Sequence, residues 1–425
     1  MSMPVQTQPV APVPCVDFWK ASGTSSNDTL AIIAVMLAGV GAFFNLFAIQ
    51  PLLPLFEQVF NASKADVGRT VSAATVGVAL SAPFCGALAE RVGRRKIIVA
   101  SAYLLAIPTI LSATSNSLSQ MVFWRFLQGV VSPGIFGVTI AYITEEWPRE
   151  RAPKIMSLYI SGTVLGGFLG RVVIGVSVTH RLIPFVPPSW RAGFAAAGIV
   201  GLMIGIFLWR WLPRDSPLPP GADKAVNITR HFRNPRLVAT FAVGFNVLFN
   251  LVATFSYITF YLAAPPFGLS PAQLSAIFTV YLFGLVITPL GGIFISRVGS
   301  RTALIYAVGG GIAGILMTLI PKLPVIILGL VLCNTGTWVC QAASTSYIQR
   351  EAQSGERASA IGFYVMFYYI GGSVAGVLPG LLWRYGQWRA CVAMLVFVQL
   401  VTITIAGAVW NGNRSLDIGS SAHAD

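Results

Sequence analysis

Charge is scarce in this chain. Only 10% of its 425 residues are Asp, Glu, Lys or Arg, too few to cover the surface of a water-soluble globule of this length. Fully 55% are hydrophobic, and the mean hydropathy is +0.74. Acid is scarcer still, with fourteen Asp and Glu against twenty-eight Lys and Arg. Cysteine is sparse and odd in number: Cys15 lies in the N-terminal tail, and Cys85, Cys333, Cys340 and Cys391 lie inside apolar runs, so packed thiols rather than a disulfide framework are expected. The three histidines, His180, His231 and His423, fall in loops or the tail, where an ordinary surface role is expected. No metal-ligand cluster, phosphate-cradling glycine loop or nucleophile–base pair occurs in the pattern. An enzyme, a metal centre and a bound cofactor are therefore not expected.

What the chain has in abundance is apolar runs of the length a helix needs to cross about 30 Å of hydrocarbon. Twelve are read, near 29–52, 66–89, 97–115, 119–143, 155–178, 192–212, 237–262, 272–295, 302–321, 323–348, 358–382 and 390–410. The fold class is thus an all-α polytopic membrane protein of twelve transmembrane helices. The polar break at 213–236, with Pro217, Pro219, Pro220 and Gly221, divides it into an N-terminal six-helix bundle (29–212) and a C-terminal one (237–410). Tails at 1–28 and 411–425 flank them. The first lacks a basic start followed by an apolar core, so no cleaved signal peptide is expected.

The basic excess is topological rather than a nucleic-acid footprint. Nineteen Lys and Arg lie in one alternating set of loops together with both tails, and seven lie in the other set: Lys64, Arg69, Arg181, Arg191, Lys322, Arg384 and Arg389. Cytoplasmic loops carry the excess of Lys and Arg, so both termini are expected to be cytoplasmic, and no nucleic-acid partner is expected.

The halves repeat one another. Gly86-Ala-Leu-Ala-Glu-Arg-Val-Gly-Arg-Arg95 aligns with Gly292-Ile-Phe-Ile-Ser-Arg-Val-Gly-Ser-Arg301, Glu150-Arg151-Ala152 with Glu356-Arg357-Ala358, and Gly166-Gly167 with Gly371-Gly372. Gly175 then matches Gly380, and Trp190-Arg191 matches Trp388-Arg389. Collinear matches at a nearly constant offset imply two pseudo-symmetric bundles with a pathway between them.

On these residues the chain resembles the major facilitator superfamily. Gly86-x-Leu88-x-Glu90-Arg91-x-Gly93-Arg94-Arg95 is similar to its signature between helices 2 and 3, with Glu90 where Asp is commoner. Arg125-x-x-Gln128-Gly129 resembles its helix 4 signature, and Gly162-x-x-x-Gly166-Gly167-x-x-Gly170 its helix 5 antiporter signature, with Gly167 in place of the usual Pro and Arg171 in place of a second Gly. The nearest resemblance is to the bacterial twelve-helix drug/proton antiporters, including their sugar-efflux-like members. It implies that Gly86, Glu90, Arg91, Gly93, Arg94 and Arg95, with Arg297 and Arg301 in the second copy, gate the pathway. It also implies that Glu90 faces the N-terminal end of helix 11. With Ser296 opposite Glu90, the latch is expected to be stronger in the N-terminal half.

Arg125 and Arg171 are the two basic residues inside the apolar runs. An Arg at a helix centre costs about 2.5–3.5 kcal/mol on insertion scales, so each is expected to face a cavity, a partner or water. Both lie about 10 Å deep and are read as a shared substrate site, with a hydrogen-bond hub for Arg125 and snorkelling or packing for Arg171 as open alternatives. No acidic residue falls in the middle of a run; Glu57 and Asp66 at the outer helix ends are the carboxylates left for proton coupling. Asn45, Gln50, Asn246, Asn250, Tyr257, Tyr281, Asn334, Trp338, Gln341, Tyr364 and Tyr368 are the remaining candidate substrate contacts, with interhelical polar packing as the alternative. Glycines repeating every four residues, Gly162/Gly166/Gly170 and Gly372/Gly376/Gly380, are read as packing stripes. The function expected is secondary active transport of a small organic solute, as proton-coupled efflux or as organic-anion uptake or exchange. The partners expected are that solute, protons and the bilayer, with the chain working as a monomer.

Overall fold

The computed structural model describes residues 26–148, 150–215, 228–352 and 357–410. Most of both tails, the centre of the 213–236 linker, Arg149 and Glu356 lie outside the described residues. Among those described, every regular element is helical.

Ten segments are long and apolar enough to cross a membrane. The last, within Arg357–Val409, is two spans, because Gly386 and Gln387 leave helical geometry and Gln387 takes a positive φ of 51°. One more span is discontinuous. Span 1 runs Ser26–Phe44, loses its regular hydrogen bonding, and resumes as Gln50–Leu52 and Leu53–Val59. Pro51 and Pro54 have no N–H to continue the ladder, so the run expected to be one helix over 29–52 is broken before it ends. The twelve spans are completed by span 2 (Lys64–Val92), span 3 (Arg94–Ser112), span 4 (Leu118–Glu146), span 5 (Ala152–Val176), span 6 (Trp190–Trp211), span 7 (Pro235–Ala263), span 8 (Pro271–Val298), span 9 (Ser300–Met317) and span 10 (Leu323–Glu351). Spans 11 and 12 lie before and after Gly386–Gln387. Span 8 passes through a 3-10 stretch, Phe278–Phe283, before regaining α geometry at Gly284.

Glycine sets how closely the spans approach. On span 5, Gly162, Gly166 and Gly170 each receive a carbonyl of span 1, those of Met36, Val40 and Phe44, where any Cβ would collide. On span 11, Gly376 and Gly380 face span 2 instead, against Ser72 and Ala65, while Gly372 packs first on Leu248 of span 7 and then on Thr75, so this stripe lies on the seam between the halves. Gly167 meets only the Arg171 guanidinium.

The repeat is visible in the turns. Gly93 and Gly299 hold φ of 107° and 82° at equivalent helix junctions, a region that favours glycine. Arg95 donates to Leu212 O (2.7 Å) and Trp209 O at the end of span 6, and Arg301 donates to Gly407 O near the end of span 12. Each guanidinium thereby supplies donors to the orphan carbonyls of the last helix in its own half.

One histidine departs from expectation. His231 is buried, its Nε2 2.6 Å from Ser359 Oγ and its ring 5.8 Å from that of Phe363. The linker helix Ile228–Arg233 folds against the start of span 11, which the polar linker composition did not signal.

Candidate functional site: the seam between the halves

Arg125 is fully buried and nearly saturated. Its Nε donates to Thr70 O (3.2 Å), Nη1 to Asn45 O (2.8 Å) and to Gln128 Oε1, and Nη2 to Leu46 O. Asn45 and Leu46 directly follow the last residue of the first helical segment, where the break in span 1 leaves the Asn45 carbonyl only a long 3.4 Å bond from Ala48 N–H and the Leu46 carbonyl without a helical partner. One guanidinium satisfies both. Gln128 is itself tied to Ser112 Oγ at 3.2 Å, joining spans 1, 2, 3 and 4 in one network.

Arg171 sits one turn further along the broken helix and differs in kind. Its Nε donates to Gln50 Oε1 (2.8 Å) and its Nη1 to Gly167 O; among the described residues it makes no ion pair. Three aromatic faces surround the guanidinium instead: Tyr281 at 4.4 Å, Phe278 at 4.7 Å and Phe47 at 5.6 Å. Tyr281 and Phe278 belong to the C-terminal half. Gln50 also crosses the seam, its Nε2 donating to Ser256 Oγ at 2.9 Å. The two arginines thus occupy neighbouring positions with different partners, one within a single half and one between the halves.

Other bridges follow the same end of the molecule. Lys64 contacts Glu57 and lies 5.4 Å from the Phe260 ring and 5.5 Å from the Trp383 ring. Ser72 Oγ donates to Ser373 O, and Ser373 Oγ donates to Thr75 Oγ1 at 3.0 Å. Gly68 packs on the Gly376 carbonyl, beside Tyr257, whose hydroxyl donates to that same carbonyl at 2.6 Å. Gly175 packs on Ser275 and Pro271. Past the midpoint of span 4, on its Lys/Arg-rich side, Phe136 stacks on Tyr369 across the seam, centroids 5.8 Å apart.

Nothing comparable joins the halves at the Lys/Arg-rich end among the described residues. Gly86, Glu90 and Arg91 are exposed, and no contact joins either charged side chain to the start of span 11. Arg94 pairs with Glu145, and the Arg95 backbone N–H donates to Asp215 at 2.8 Å, both within the N-terminal half. Arg297 is exposed, and Ser296 Oγ donates to Ile293 O of its own helix. Among the described residues, the bridges between the halves concentrate away from the Lys/Arg-rich end.

The candidate polar residues divide. Asn45, Gln50, Tyr257 and Tyr281 lie at the bridged part of the seam. Asn246 and Asn250 line a cavity of about 40 Å³ inside the C-terminal half, with Cys333, Thr337, Gln399 and Thr402. There Asn246 Nδ2 donates to Thr402 Oγ1 (2.8 Å), and Gln399 Nε2 to Asn250 Oδ1 (3.3 Å). Asn334 Nδ2 donates to Val280 O (3.0 Å) in the 3-10 stretch of span 8, leaving its buried Oδ1 unpaired. Trp338 Nε1 is also buried without a partner and lies against Gly284. Gln341 is half-buried, and Tyr364 and Tyr368 stand with ring centroids 6.1 Å apart on span 11. Gln399, Ser256, Lys64 and Phe278 were not singled out in the sequence. Gln399 was findable as the one carboxamide in the 390–410 run; Lys64 was read only as a loop charge.

Bridges concentrated away from the Lys/Arg-rich end and a duplicated six-helix unit describe a transporter architecture, and comparison with known proteins decides its family. The profile of the Major Facilitator Superfamily matches residues 35–376. The chain belongs to that superfamily. It is 29% identical over 398 residues to an uncharacterized transporter of Buchnera aphidicola subsp. Schizaphis graminum, covering 92% of this chain and 94% of that one. It is 30% identical over 378 residues to the uncharacterized MFS-type transporter YybF of Bacillus subtilis, covering 88% and 92%. Among solved structures, a bacterial homologue of the human lysosomal transporter Spinster, in an inward-facing and occupied conformation, superposes with a TM-score of 0.74 at 16% identity, covering 91% of this chain and 98% of that one. As a facilitator the chain is a multi-pass membrane transporter of the bacterial type, not an enzyme.

Proposed function

We propose that this facilitator moves a small organic solute across the bacterial cytoplasmic membrane by alternating access, and that the conformation described is the one open to the cytoplasm. One observation carries the reading: the bridges between the halves cluster at the Lys/Arg-poor end, while Glu90 and Arg91 stand free at the Lys/Arg-rich end. Cytoplasmic loops hold the Lys/Arg excess, which supports tails and an open mouth on the cytoplasmic side. The two bundles supply both walls of the pathway, so a monomer suffices.

Proton-coupled efflux is the form favoured by the partial helix 5 signature, Gly162 to Gly170. The carboxylate best placed to couple it is Glu57, held by Lys64 at the seam; Asp66 pairs with exposed Arg69 at 3.1 Å. In everted vesicles, solute accumulation should follow an imposed pH gradient and fall with Glu57→Gln. Flux indifferent to the gradient removes the coupling.

A second reading, uptake or exchange of an organic anion, is favoured by the Arg171 guanidinium, buried with no carboxylate beside it among the described residues. A substrate screen in the same vesicles separates the two: organic anions leaving the lumen, the uptake direction in everted vesicles, without response to the pH gradient select the second.

A further inference from the structure

We infer that Arg171 is the anchor for the carboxylate of a planar aromatic monoanion, loaded when the Lys/Arg-poor end opens and displaced when it closes. The inference rests on the alternating-access reading in its second form, organic-anion uptake, and names the substrate class for it.

The argument begins with unused donors. A guanidinium carries five N–H groups. Arg171 commits two, to Gln50 Oε1 and Gly167 O, although it is only 1% exposed and makes no ion pair among the described residues. Arg125, equally buried, commits four to protein acceptors and keeps one, too few for a two-point carboxylate contact. A buried cation lacking a counter-charge is held here by ring faces, which attract it less strongly than a carboxylate does.

The ownership of those rings matters. Arg171, Gln50 and Phe47 are in the N-terminal half; Phe278, Tyr281 and Ser256 are in the C-terminal half. Separating the halves at this end strips two rings from the guanidinium and turns its free N–H groups toward the new opening. It also leaves a group of rings, Phe255, Phe278 and Tyr281, with centroids 4.8–5.9 Å apart, missing the cation they covered. A ligand with a carboxylate at one end and a flat aromatic body at the other satisfies both surfaces: two parallel N–H···O bonds to Arg171 and a stacked ring against Phe278 or Tyr281. When the end closes, those rings return to the guanidinium and compete with the ligand for it. Closure and release toward the open, Lys/Arg-rich mouth become one event.

Ser275 reports opening. It is 1% exposed and pressed against Gly175 across the seam, and cysteine is its near-isostere. In a background with the five native cysteines replaced by alanine, Ser275→Cys would be labelled by a maleimide in the presence of benzoate, cyclohexanecarboxylate, benzamide or acetate, with binding followed in parallel by tryptophan fluorescence. Benzoate should bind saturably and raise the labelling rate several-fold; benzamide, without the charge, and acetate, without the ring, should not. Arg171→Lys should weaken benzoate binding about tenfold, since a point charge replaces the bidentate fork. Arg171→Gln should abolish binding while raising labelling in the absence of ligand. Benzoate binding unchanged in Arg171→Gln and Arg171→Lys, equal binding of benzamide, or no benzoate binding to the unaltered protein overturns the inference. Benzoate binding that depends on Arg171 while Ser275→Cys stays unlabelled under every condition would instead overturn the alternating-access reading on which it rests.

Discussion

Two intramembrane arginines of equal depth and equal burial have opposite energetic positions, and substitution should tell them apart. Removing Arg125 takes the guanidinium donors away from the carbonyls of Thr70, Asn45 and Leu46 and from the Gln128 amide oxygen in the buried interior. Arg125→Met is expected to cost about 3–5 kcal/mol, the scale for breaking a buried polar network by removing one member. Arg171→Met takes the donor from Gln50 Oε1, leaves Gly167 O its helical bond, and puts an apolar chain among three rings. Its cost should stay within about 2 kcal/mol. Thermal unfolding of both variants in one detergent checks the order; equal losses would contradict the division of roles.

Among elements, the two glycine stripes look alike in sequence and serve different surfaces. Gly170 on span 5 receives the Phe44 carbonyl within one half, so Gly170→Val strains a permanent contact and should lower stability by roughly 1–3 kcal/mol without favouring either state of the cleft. Gly376 on span 11 meets Gly68 and Ser72 of the other half, a contact made only while this end is closed. Gly376→Val should therefore shift the population toward the state open at the Lys/Arg-poor end. The measurement is maleimide labelling of Ser275→Cys, expected to rise for Gly376→Val and to stay level for Gly170→Val.

For the whole molecule, the consequence is that both ends cannot be open or sealed together without stopping transport. Thr75→Cys with Ser373→Cys replaces two hydroxyls 3.0 Å apart across the seam. In a background without the native cysteines, oxidation of this pair should abolish solute flux, and reduction should restore it. Glu90, solvent-exposed here, is expected to dock at the start of span 11 only in the other state, where the helix dipole favours a carboxylate by roughly 0.3–1 kcal/mol. Glu90→Gln should thus raise labelling of a cysteine at the Lys/Arg-rich mouth, while Ser296→Ala leaves it unchanged. Equal effects of the two would remove the asymmetric latch.

Much of this was legible beforehand, and the limits follow the kind of interaction. Span number, the repeat and the loop charge bias are properties of consecutive residues, because each helix must satisfy its own backbone and bury about 30 Å of itself in hydrocarbon. The double break around Pro51 and Pro54 was visible as prolines, yet the donor that covers its carbonyls, Arg125, comes from span 4. The same holds for Lys64, a loop charge by its neighbours in the chain and a seam residue only because Phe260 and Trp383 arrive from the other half. His231 turned out buried for the same reason. Composition and periodicity determined that this chain crosses a bilayer twelve times as two related bundles. Only tertiary packing decided which arginine is saturated and which keeps donors free, because the partners that settle a buried charge come from helices far apart in the chain, and their approach is set by the fold rather than by any local spacing.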